Sequence, residues 1–87
     1  MKYIVYVKHT TWEYLSLKFD IIDAIKEIRK DFNESSRAEY MIIEDDGRSQ
    51  FPIVFLQGKD DYYKLIQSFE KEIKQKSKKI KKSIDTI

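Results

Sequence analysis

AEYMIIEDDGRSQFPIVFL, residues 38–56, decides the fold. Two apolar runs, one around Tyr40, Met41, Ile42 and Ile43 and the other around Phe51, Ile53, Val54 and Phe55, flank Asp45-Asp46-Gly47-Arg48. An Asp-Gly step between runs of this kind predicts a β-hairpin, because glycine takes the positive φ that a tight turn needs. Pro52 has no N–H to give to a ladder, so its strand is expected at an edge of the sheet or bulged at that point.

Working outward, Gly58 ends the second run, and Tyr62, Leu65, Ile66, Phe69 and Ile73 then recur at helical spacing, with Asp60 or Asp61 as the expected cap. On the N-terminal side, Ile21, Ile22, Ile25, Ile28 and Phe32 form another helical stripe led by Asp20 as N-cap, and Asn33 is the expected left-handed C-cap. Before it, Lys2–Lys8 alternates as a strand, and Trp12–Phe19 alternates again. The latter stretch also fits a helical period through Trp12, Leu15, Phe19 and Ile22, but the short connection at His9, Thr10 and Thr11 favours a second hairpin.

The order is ββαββα, and its two halves can be laid over one another, Tyr3-Ile4-Val5 on Tyr40-Met41-Ile42. The expected fold is therefore α+β in two layers: a four-stranded, mainly antiparallel sheet with two helices on one face and a long C-terminal helix. At 87 residues there is room for one core, so residues 1–73 are read as a single domain and residues 74–87 as a basic extension of its last helix.

Composition narrows the chemistry. With no Cys and one His, thiolate metal sites, disulfides and cysteine nucleophiles are out, and no metal or cofactor is expected. Neither a signal-peptide core nor a run of about 20 apolar residues occurs, which points to a cytoplasmic chain with no membrane partner. Lys outnumbers Arg by 14 to 3 and Ile outnumbers Ala by 13 to 2, a bias that A+T-rich codons produce. Asp45/Asp46 and Asp60/Asp61 resemble carboxylate sites, but a whole strand, roughly 27 Å at ~3.3 Å per residue, separates the pairs, and turn formation and helix capping account for them. His9 lies beside two threonines with no spacing motif to support a nucleophilic pair, so no catalytic residue is assigned and the chain is read as a non-enzyme.

Two features exceed what folding requires. If Val5, Val7, Leu15, Leu17 and Ile42 face the helices, then Ile4, Tyr6, Trp12, Tyr14, Met41 and Ile43 face away, and that second face is too aromatic for simple solvation. The C-terminal segment is the other. Residues 1–70 hold ten Lys/Arg against thirteen Asp/Glu, a balance of −3, while residues 71–87 hold seven Lys against Glu72 and Asp85, a balance of +5. Ile66, Ile73, Ile80 and Ile87 recur every seventh residue, joined by Ile84, and each isoleucine left in water forgoes roughly 1.5 to 3 kcal/mol.

The expected activity is thus that of a small binding module, a regulator or inhibitor docking on another protein, host or self, through Tyr6, Trp12, Tyr14, Ile80, Ile84 and Ile87. Small size and codon bias suit a viral or mobile-element product, and a homodimer fits the same apolar surplus. The alternative is a nucleic-acid binder using Lys74, Lys78, Lys79, Lys81 and Lys82 to neutralise phosphates, with aromatic residues of the sheet stacking on bases.

Overall fold

The computed structural model of the chain describes the backbone of residues 1–35 and 37–85 and the side chains of residues 1–35 and 37–73. Its elements run β1 (Lys2–Lys8), β2 (Trp12–Lys18), α1 (Ile21–Asp31), β3 (Glu39–Asp45), β4 (Gln50–Leu56) and α2 (Lys59–Asp85). The four strands form one antiparallel sheet in the order β2-β1-β3-β4, so the two hairpins lie side by side with β1 and β3 at the centre. The expected ββαββα class is the one observed, and Trp12–Lys18 is a strand rather than a helical turn.

Local chemistry sets the element ends. The Asp20 carboxylate accepts the Ile22 N–H at 2.7 Å, satisfying one of the four donors that a helix start leaves over. Replacing Asp20 with Ala is expected to cost about 1 kcal/mol, read as a lower urea midpoint with an unchanged slope.

At its other end α1 departs from expectation. Phe32, in extended conformation at φ −61°, is the C-cap, with its N–H on the Ile28 carbonyl, and among the described residues none but Gly47 has positive φ. Asn33 instead accepts the Ser35 N–H at 3.0 Å, an Asx turn that does the reversing work without left-handed backbone. At the start of α2, Asp61 reaches back from the first turn to accept the Gln57 N–H at 3.0 Å.

The β3–β4 turn uses both of its acids. Asp45 accepts the Gly47 N–H and the Gln50 side-chain amide, Asp46 accepts the N–H groups of Arg48 and Ser49, and Gly47 supplies φ 91°. The Gly47 N–H and then the Gln50 amide hold the Asp45 carboxyl below its ordinary range, and the Ser49 and Arg48 N–H groups do the same for Asp46. These depressed values mean that the contribution is present above the ordinary carboxylate pKa of about 3.9 and is lost as pH falls through the lowered ones. Stability should therefore drop below about pH 4, and Asp46→Asn, which keeps an acceptor oxygen but not the titration, should flatten part of that drop in an acid unfolding series.

The core lies between the sheet and the helices. Val5, Ile25, Ile28 and Ile42 are completely buried and Tyr40 is 2% exposed. Helix α1 packs over β1 and β2 while α2 packs against β4 and α1. Where the helices meet, Phe32 and Tyr62 stack at 3.7 Å between centroids with planes 7° apart, and Tyr63 meets both rings edge-on and donates its hydroxyl proton to Glu34. Ile73 is the last described side chain of α2, and it is buried.

Candidate docking surface

Register decides which side chains share the sheet face opposite the helices. Residues paired directly across antiparallel strands point the same way, and the buried Val5 pairs with the buried Ile42, so the alternating set on β1 and β3 faces out. That set comprises Lys2 beside Asp45, Ile4 beside Ile43, Tyr6 beside Met41, and Lys8 beside Glu39.

On β2 the register slips between Val5 and Tyr6, since Val5 pairs with Ser16 but Tyr6 with Tyr14, which leaves Leu15 as an extra residue. Beyond that bulge the parity reverses. Leu17 pairs with Ile4 and so lies on the outer face, not on the helix face as its simple alternation with Leu15 suggests. Lys18 follows the same logic: it pairs with Tyr3 on the helix side, where its ammonium meets Glu27 of α1 at 3.2 Å.

A second slip, between Ile42 and Ile43, falls where Pro52 sits on edge strand β4. Ile53 is the extra residue there, and Pro52 and Phe55 turn outward beside Ile43 and Met41.

The outer face is thus largely apolar between its charged ends, and among the described residues neither helix packs over it. Its margins are open: Tyr14 is 62% exposed, Phe55 49% and Trp12 36%. Tyr6 and Tyr14 meet edge to face at 6.4 Å. Trp12 and Phe55 belong to opposite edge strands, about 14 Å apart at ~4.8 Å per strand spacing, yet their ring centroids are 5.9 Å apart. Both rings must therefore lean inward over β1 and β3, making an aromatic ridge across one end of the face. Beneath it the Lys8 ammonium lies 5.8 Å from the Trp12 ring centroid and 3.6 Å from the Glu39 carboxylate.

The structure brings together Tyr6, Trp12 and Tyr14 of the expected docking residues and adds Phe55, Leu17 and Pro52. Ile80, Ile84, Lys74, Lys78, Lys79, Lys81 and Lys82 lie outside the described side chains, and Ile87 lies outside the described residues altogether. Phe55 could have been found from sequence only by knowing the hairpin register, which the slip at Pro52 shifts.

The acidic pairs do not converge. Asp45 and Asp46 belong to the turn and Asp61 to the start of α2, and no group of three His, Asp or Glu side chains comes together among the described residues. His9 is exposed in the β1–β2 connection. No helix among the described residues is long and apolar enough to cross a membrane. Comparison of the chain with family models, characterised proteins and solved structures finds no match to any of them.

Proposed function

We propose that this protein is a small non-catalytic binding module, a regulator or inhibitor that works by docking on another protein through the outer sheet face. The observation that carries the reading is the uncovered apolar face itself, with Trp12, Tyr14 and Phe55 at its margins. Single exposed hydrophobics are ordinary on a monomer, whereas a contiguous aromatic and aliphatic patch of this kind characterises interaction surfaces. Tyr and Trp are also the residues that most often anchor protein interfaces, because they bring large area at little conformational cost.

Charge favours a protein over a phosphate backbone on this face. Lys8, the cation that lies against the Trp12 ring, already has Glu39 as a carboxylate partner, and Lys18 is turned to the opposite side and engaged by Glu27. A stacking platform for nucleic acid needs cations interleaved with its rings.

The test compares partners recovered from native cells on the intact chain with those recovered on Tyr14→Arg/Phe55→Arg. Both residues are exposed, so circular dichroism should be unchanged while a partner held by this face disappears from the variant. A variant that retains every partner of the parent would sink the reading.

A further inference from the structure

On a surface separate from the outer sheet face, and independently of the docking reading, we infer that α2 lays a row of lysines along the phosphate backbone of double-stranded DNA. Packing fixes which side of the helix is free. Tyr62 and Ile73 are buried and Leu65, Ile66 and Phe69 pack against the core, so this stripe of α2 is turned toward the sheet. Lys64 and Lys71 belong to the opposite side, are exposed, and have no acidic partner among the described residues.

These two lysines set the line of the row. The backbone of α2 is one continuous helix to Asp85, so at about 3.6 residues per turn position 78 falls in line with Lys64 and Lys71, one heptad further on. Positions 74, 81 and 82, also lysine, belong to the same side of the helix. Glu70 and Glu72 fall toward the two flanks, and no carboxylate shares the row between Lys64 and Lys82. The row is ~27 Å long at 1.5 Å per residue, and its far part belongs to the ~18 Å of α2 that follows the buried Ile73.

Charge selects a polyanion as the occupant, since residues 71–87 hold seven Lys against Glu72 and Asp85. A bilayer does not fit. An interfacial helix buries its apolar stripe in the lipid, and through Ile73 that stripe is already turned into the core. Width separates the two kinds of duplex. A helix ~10–12 Å across matches the ~12 Å major groove of B-DNA, whose walls are lined by phosphates, whereas the deep, narrow major groove of an RNA duplex does not admit it. Phosphate contacts carry no sequence information, so salt and not sequence should set the affinity.

The experiment is fluorescence anisotropy of a labelled DNA duplex of mixed sequence, titrated with the full chain at several salt concentrations. With about four lysines displacing counterions, log K should fall against log salt with a slope of about −3.6, a loss of about 150-fold between about 50 and 200 mM salt. Lys64→Gln/Lys71→Gln and Lys78→Gln/Lys82→Gln should each flatten that slope by about 1 to 2. Lys2→Gln/Lys8→Gln removes the same charge from the outer sheet face and should leave the slope unchanged. Absence of binding at about 50 mM salt overturns the inference. So does a Lys2→Gln/Lys8→Gln slope as flat as those of the helix variants, which would make net charge and not the row responsible. Equal or tighter binding to an RNA duplex of the same length, to polyglutamate or to phosphatidylserine vesicles would overturn DNA as the occupant. The docking reading is tested apart from all of these, because Tyr14 and Phe55 belong to the sheet and not to α2.

Discussion

Ile42→Ala is expected to remove about 2–5 kcal/mol of stability, and Ile43→Ala, one residue along the same strand, about 1 kcal/mol or less. Ile42 is completely buried, paired with Val5 in the sheet and part of the core that holds Ile25 and Ile28 of α1. Truncating it loses the transfer free energy of the removed methyl and methylene groups and leaves a cavity that a sheet centre cannot close. A chain of 87 residues has in total roughly 4–13 kcal/mol at the usual 0.05–0.15 kcal/mol per residue, so the single change removes a large part of it. Urea unfolding should show the midpoint of Ile42→Ala falling sharply.

Ile43 has the opposite face and no helix above it, and its truncation sheds surface already shared with water. Partner concentration separates the two further. Anything that binds only the folded form stabilises it by mass action, so a partner docked on the outer face should make the Ile43→Ala cost grow with partner concentration while the Ile42→Ala cost stays nearly constant. Equal costs at high dilution would mean that the outer face is covered within one chain.

What the sequence discloses here follows from how local the controlling chemistry is. The β3–β4 turn was legible because Asp46 and Gly47 carry its geometry within a few residues, and the N-terminus of α1 because Asp20 bonds two residues away. The division of β1 and β3 into two faces was legible because both strands are regular and pair without a slip. Leu17 was misassigned because alternation carries no record of a bulge: the extra residue at Leu15 is set by how β2 accommodates β1, a pairing between strands. Phe55 was missed for the same reason at Pro52, although the proline did announce an edge strand with an irregularity. Asn33 illustrates a different limit. Its side chain has two ways of reversing a chain, left-handed backbone or an Asx turn, and sequence alone does not choose between them. The stacking of Phe32 on Tyr62 depends on how the two helices approach, which no spacing within either helix encodes.

Tyr40→Phe should lower stability near neutral pH by about 1.5–3 kcal/mol and also change its dependence on pH at the alkaline end. Tyr40 lies in β3 with its ring in the core, and its hydroxyl donates to Asp31 Oδ2 at 2.8 Å. Asp31 is the last residue of α1, where a carboxylate is unfavourable against the negative end of the helix dipole, so the phenol both anchors the strand to the helix and relieves that charge. The cost should fall toward the lower end of the range, since exposed Asp31 can take water in place of the lost proton donor.

Burial first, then the hydrogen bond and charge of Asp31, push the Tyr40 hydroxyl well above the ordinary tyrosine value. A raised folded-state pKa contributes stability that is fully present below the unfolded value, about 10, and is lost as pH rises through the folded one, because the unfolded chain releases a proton that the folded chain retains. The parent protein should therefore lose stability above about pH 10. Tyr40→Phe begins lower but has no such proton to retain, so the two stability curves should converge as pH rises. Some decline should persist in the variant, because burial raises Tyr62 and the Glu34 hydrogen bond raises Tyr63 in the same direction. Urea midpoints measured between about pH 7 and 11 would decide the matter: curves that stay parallel would show that Tyr40 ionises as easily in the folded chain as in the unfolded one, and that its bond to Asp31 does not hold the proton.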